Sequence, residues 1–143
     1  MSIRRHARLK AATLLFGAVF VLLAARSEAQ GAAADVTQSA DYKRGRLLFI
    51  QCRACHELQP TAVEKVGPHL GGIIGRRSAS AEGFSYSPAL TAAKLTFDKA
   101  LLDRWLEKPS AVVPGNVMAF SGIPNAADRA ALIRYLEVET APR

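Results

Sequence analysis

The sequence predicts an all-α domain of three to five short helices joined by long loops, and three observations carry that reading. No segment shows the strict apolar and polar alternation of a half-buried strand. Helix-start signals recur along the chain, at Ser87-Pro88, at Asp98, and at Asn125 followed three residues later by Asp128. Between them, 10 glycines and 7 prolines punctuate the chain too densely for long elements.

The first helix is expected from about Ala40 into the stretch around Cys52, where Tyr42, Leu47, Leu48, Phe49 and Ile50 lack alternation. Residues 60–85 should be irregular, because Gly67-Pro68, Gly71-Gly72, Gly75 and Gly83 interrupt any regular element. Ser87 as cap with Pro88 at the first helical position opens a short helix to about Lys94. Asp98 caps a further helix, Lys99 to Lys108, which Pro109 stops. The pair Asn125 and Asp128 resembles a capping box for a last helix from Ala126 to about Glu139, with Leu132, Tyr135 and Leu136 on one face.

The chain has 143 residues, 50% of them hydrophobic, which suits one globular domain and argues against wholesale disorder. Its 19 Lys and Arg stand against 12 Asp and Glu. Five of the basic residues, Arg4, Arg5, Arg8, Lys10 and Arg26, fall in the first 29 positions, with Glu28 the acidic residue among them. The remainder carries only about +3, and its basic residues neither cluster nor interleave with aromatics, so no nucleic-acid surface is indicated.

That basic start precedes an apolar run from Ala11 to Ala25, too short for a membrane-spanning helix and right for a signal peptide. Ser27-Glu28-Ala29 then places small residues at the positions a signal peptidase needs. Residues 1–29 therefore read as a leader that exports the protein to the periplasm, the alternative being an uncleaved membrane anchor. Residues 30–39 read as a flexible lead-in and 40–143 as the functional domain.

Cys52 and Cys55 are the chain's two cysteines, and they lie in Cys52-Arg53-Ala54-Cys55-His56. Two thiols three residues apart in one helical turn, with an imidazole immediately after, form the attachment pattern of c-type haem. The thiols capture the porphyrin and His56 becomes the proximal iron ligand. A zinc site would need Cys55 and His56 to chelate side by side with distant His69, and a redox dithiol would need a preceding strand. Both are disfavoured.

If iron is bound, its other face needs a ligand. Met118 is the remaining methionine once Met1 leaves with the leader, and it sits in a loop stiffened by Pro109, Pro114, Gly115 and Pro124. A thioether there would favour ferrous iron and raise the potential. His69 is the rival ligand.

In sequence order, Cys52-Arg-Ala-Cys55-His56, Gly67-Pro68-His69-Leu70, Gly75-Arg76-Arg77, Gly83-Phe84-Ser85-Tyr86-Ser87, Trp105-Leu106-Glu107-Lys108-Pro109, Pro114-Gly115-Asn116-Val117-Met118 and Phe120-Ser121-Gly122-Ile123 are similar to the motifs of the small class I cytochromes c, over about Tyr42 to Val138. The resemblance implies that fold, wrapped around one haem c held through Cys52 and Cys55. It implies that Pro68 orients His56, that Arg76 and Tyr86 hold the inner propionate, and that Gly45 and Phe49 pack against Leu132 and Tyr135. Trp105 and Asn116 would stand beside the Met118 sulfur in place of a tyrosine and a threonine, and Phe97 replaces a tryptophan. The lysines that ring the haem edge in mitochondrial members are mostly replaced, with Gln51, Ser110, Val117 and Asn125 near those places and Lys65 remaining. The function implied is a monomeric, periplasmic one-electron carrier and not an enzyme, passing electrons from a membrane complex or dehydrogenase to an oxidase or reductase. The competing reading is a haem protein with a labile Met118 that reacts with peroxide or senses a gas.

Overall fold

A computed structural model describes residues 36–63 and 65–142 of the chain. Two compact units are separated at Met1–Gln38 and Ser39–Arg143, and the architecture below is that of the second. The expected leader, residues 1–29, and most of the lead-in lie outside the described residues. Among the described residues no helix is long and apolar enough to cross a membrane.

The described residues of the second unit form six helical segments: α1 (Ala40–Leu48), α2 (Ile50–Arg53), α3 (Pro88–Ala93), α4 (Lys99–Glu107), α5 (Pro109–Val112) and α6 (Ala126–Glu139). Their β-structure is one isolated antiparallel bridge, Arg77 with Thr96. The caps read from sequence are in place. The Ser87 hydroxyl accepts from Leu90 N–H, the Asp98 carboxylate from Leu101 N–H and the Asn125 amide oxygen from Asp128 N–H.

Three details differ from the sequence expectation. The first helix breaks at Phe49, so the cysteine motif lies on the short α2 and the turn after it. Pro109 both ends α4 and begins α5, since its missing N–H costs nothing at a first helical position. Asp128 does not complete a capping box. Its carboxylate instead takes a bidentate pair from Arg44, at 2.9 and 3.0 Å, because a planar guanidinium outcompetes a backbone N–H for two carboxylate oxygens.

The domain is organised by α1 crossing α6. Gly45 makes that approach possible: a Cβ there would lie 2.1 Å from the Ala131 carbonyl oxygen and 2.7 Å from Tyr135 Cβ. The Tyr135 ring meets Tyr42 at 5.2 Å and Phe49 at 5.4 Å between centroids, so the expected contact of Gly45 and Phe49 with the last helix is present. Leu132, fully buried, sits at the centre of one apolar cluster that also takes in Leu102, Leu106, Val113 and Ile123. Helix α4 packs beside α6, and α5 packs against α4.

Candidate functional site

The cysteine motif forms a single tight turn. Cys55 N–H donates to Cys52 O at 3.0 Å and His56 N–H donates to the same oxygen at 2.9 Å, which brings both thiols and the imidazole to one end of α2. Both thiols are unbridged and half-buried. Burial, helped by Cys55 beside it, pushes the Cys52 thiol up to about 11. A redox dithiol needs its thiolate near neutral pH, so this environment speaks against that chemistry. Among the described residues no three His, Cys, Asp or Glu side chains gather into a metal-holding group, which leaves the zinc reading without a site.

His56 Nδ1–H donates to the Pro68 carbonyl at 2.7 Å. A carbonyl only accepts, so this bond sets the tautomer: Nδ1 carries the proton and Nε2 keeps a lone pair for a metal. Burial holds the imidazole below its usual range against the opposing pull of the Pro68 bond, and the Arg76 and Lys65 charges lower it further. The ring is therefore neutral at neutral pH, the form that can ligate.

Gly67 fits closely over that ring. A Cβ on it would stand 2.5 Å from His56 Cε1 and 2.8 Å from Nδ1, while its own N–H donates to Cys55 O at 2.8 Å. Sequence reasoning read Gly67-Pro68 as loop punctuation and missed this role, for which no local signal exists.

Met118 is half-buried against the apolar cluster, as are Cys52, Leu70, Ile74, Leu90, Leu95 and Phe120. Two thiols and a neutral imidazole in one turn, in a domain whose apolar cluster keeps many incompletely covered side chains, are a donor set and a surface that fit a haem. The Met118 loop is pinned on its far side. Gly122, at φ +110°, lies so close to α4 that a Cβ would fall 1.9 Å from the Glu107 carbonyl oxygen, and Ile123 N–H donates to Leu106 O at 2.8 Å. Arg129, 6% exposed, clamps the next carbonyls: its Nη1 donates to Ile123 O and Pro124 O at 3.0 and 2.8 Å, while Asp103 balances its charge through Nε and Nη2. Arg129 was not among the residues expected, and Gly122 was expected only as part of the Phe120-Ser121-Gly122-Ile123 motif.

The remaining expected residues fall into different settings. Arg76 curls onto backbone, donating to Gly71 O at 2.7 Å and His69 O at 2.9 Å, and burial lowers its guanidinium while nearby Tyr86 opposes that. The Tyr86 hydroxyl accepts from Ala81 N–H at 3.2 Å. Arg76 lines a cavity of about 640 Å³ with Pro68, His69, Ala81 and Phe84, and the Tyr86 ring packs edge-on against Phe84 at 4.8 Å. Trp105 is buried with its ring edge-on to Phe97 at 5.4 Å, so two positions that depart from the mitochondrial pattern pack on each other. Asn116 engages its amide within its own loop, to Val113 O and Met118 N–H. His69 is also engaged: its Nδ1 accepts from Gly71 N–H at 3.1 Å with Arg76 Nη1 3.5 Å away. Lys65 turns inward, donating to Arg53 O at 2.6 Å and pairing with Glu57 at 2.8 Å.

No family model matches the chain. Among characterised proteins it is 42% identical over 106 residues to cytochrome c2 of Rhodomicrobium vannielii, a match covering 74% of this chain and 85% of that protein. It is 38% identical over 108 residues to cytochrome c of Arabidopsis thaliana, covering 75% and 96%. Among solved structures it is similar to cytochrome cH from Methylobacterium extorquens, at TM-score 0.63 and 36% identity, covering 68% of this chain and 98% of that one.

Proposed function

The chain belongs to the class I cytochromes c, and on that premise we propose that it is a periplasmic carrier whose one haem c is attached through Cys52 and Cys55 and whose iron lies between His56 and Met118. Its relatives are electron-transfer proteins and not enzymes, and this chain is an electron-transfer protein with one covalent haem. The observation that carries the ligand assignment is the His56 Nδ1–H bond to Pro68 O under Gly67, which presents a neutral imidazole with one free nitrogen beside two reduced thiols.

The haem supplies an iron that takes up and releases one electron. Each surrounding residue has a defined task. Cys52 and Cys55 give their sulfurs to the covalent links, and Pro68 holds His56 in the ligating tautomer. Met118 offers a neutral, soft sulfur that favours the ferrous state and raises the potential. Arg76 lines the cavity at which an anionic propionate would find a guanidinium, and Tyr86 lies behind it against Phe84. Trp105 and Phe97, buried and edge-on to each other, exclude water from the part of the core they share. With His56 and Met118 both as ligands, the iron would have no open position for a substrate, which suits a carrier of single electrons.

The periplasmic assignment and the redox partners, a membrane complex or dehydrogenase as donor and an oxidase or reductase as acceptor, rest on the leader at residues 1–29 and on kinship with the bacterial relatives. The domain is proposed to act as a monomer.

The test is purification from a host competent in cytochrome maturation. A coloured protein whose haem survives denaturation, whose ferric spectrum shows the sulfur-to-iron charge-transfer band, and whose amino terminus begins near Gln30 is expected. Met118→Ala should lose that band and His69→Ala should keep it. The reverse result would make His69 the ligand, and a colourless product would end the proposal.

A further inference from the structure

The Met118 loop contains a hydrogen-bonded device that neither the fold nor the cysteine motif requires. Val113, 4% exposed, is its fixed end. Pro114 and Gly115 make the corner of a turn closed by Asn116 N–H to Val113 O at 3.1 Å, with Gly115 at φ +83°, the type II geometry in which glycine is needed at the third position. The Asn116 side chain then works in both directions. Its Nδ2 donates to the same Val113 oxygen at 2.9 Å, and its Oδ1 accepts Met118 N–H at 3.1 Å. The second bond is an Asx turn, in which the amide takes over the part of a backbone group two residues on. Val117 between them is 81% exposed and gives the loop no apolar anchor. Beyond Met118 the loop closes again through Phe120 N–H to Met118 O at 2.9 Å.

We propose that Asn116 is a positioning residue for the distal ligand: its amide latches Met118 to the buried Val113 and so sets how readily the thioether yields to a competing ligand. The inference rests on Met118 being that ligand. It differs from the role the resemblance implies, a polar group standing in for a threonine beside the sulfur, because the amide is engaged along the loop. A one-atom displacement of the main chain at Met118 moves its sulfur by a similar distance, so a bond at the Met118 amide acts directly on the sulfur's placement. Two hydrogen bonds of ordinary net strength, part of whose effect goes into folding and part into ligation, correspond to roughly a tenfold change in the ease of displacing the ligand.

The experiment titrates the ferric holoprotein with imidazole, following loss of the sulfur-to-iron charge-transfer band, and measures hydrogen exchange at the Met118 amide by NMR. Asn116→Ala should bind imidazole about tenfold more tightly than the natural protein and lose protection at the Met118 amide. Asn116→Thr, whose hydroxyl can accept the same N–H two residues on, should recover part of both effects, and Val117→Ala should change neither. Should Asn116→Ala fail to mature, Asn116→Thr set against the natural protein carries the test through a smaller shift in the same two readouts. Imidazole binding within about twofold of the natural protein in both Asn116 variants would overturn the latch. So would a shifted reduction potential with unchanged imidazole binding, which would assign Asn116 to the propionate. If the natural ferric protein itself lacks the band, the latch falls together with the Met118 assignment, an outcome separate from a normal band with an inert Asn116.

Discussion

Replacing Gly67 with alanine isolates the packing of one glycine against the proximal imidazole. The backbone at Gly67 lies outside the left-handed region, so alanine adds no conformational strain and the effect is steric. The new methyl would meet His56 Cε1 at 2.5 Å and Nδ1 at 2.8 Å, about 1 Å inside ordinary carbon contact. The ring cannot turn aside without breaking its 2.7 Å bond to Pro68 O, and the chain at residue 67 is held by its own 2.8 Å bond to Cys55 O. Overpacking of this kind costs about 1–3 kcal/mol, and loss of the His56 bond adds about 1 kcal/mol. A total of about 2–4 kcal/mol would lower Tm by about 10 °C or more in a domain of this size. Thermal unfolding of the holoprotein, compared with Gly71→Ala, is the assay. A Cβ at Gly71 meets Pro60 Cδ at 2.9 Å and the side chains of His69 and Gln59 beyond 3 Å, so that variant should lose less. Equal losses in the two variants, or a Gly67→Ala protein within about 0.5 kcal/mol of the natural one, would refute the reasoning.

Other outcomes follow from the same structure. The Tyr42 hydroxyl donates to Glu139, and burial first, then that carboxylate, raises it from 10.0 to about 12. The folded state thus holds the phenol proton more tightly than the unfolded chain does, and the associated stability, intact below pH 10, should decline between about pH 10 and 12. Urea unfolding across that range should show a steeper fall in the natural protein than in Tyr42→Phe, and parallel curves would contradict the assignment. A Cys52→Ala, Cys55→Ala protein made without haem should be largely unfolded, because many apolar residues of the small core stay only half-buried without a further group to cover them; a near-native circular dichroism spectrum would count against this. Next to the cysteine motif, the imidazole and Met118 in sequence, the exposed side chains include apolar Ile50, Val66 and Val117, polar Gln51 and the cation Arg53, while Lys65 is turned inward, so no cluster of basic residues forms there. Electron transfer to a redox partner should therefore change less than about threefold between low and physiological salt, and a steep decline with salt would show charge steering from elsewhere on the surface.

Chemistry carried by consecutive residues was readable in advance. The thiols and imidazole of Cys52, Cys55 and His56 act within one helical turn, so their spacing alone states what they can hold. The caps at Ser87, Asp98 and Asn125 bond to N–H groups three residues away, a distance the sequence displays directly. Met118 stood out because a lone thioether lay in a proline-bounded loop. The break at Phe49 and the short α5 after Pro109 were not readable, since neither position carries a signal distinguishing a pause from an end.

The amino-acid order by itself determined the helical class and the covalent chemistry of the prosthetic group, because each depends on residue type and on neighbours a few positions apart. The tertiary structure alone decided the rest. That Asp128 serves Arg44, that Gly45 admits α6, that Gly67 covers an imidazole and Gly122 presses on Glu107, and that Arg129 grips the loop beyond Met118 all require partners brought together from distant parts of the chain. A glycine's missing methyl has meaning only against the atom that occupies its place, and that atom is supplied by packing.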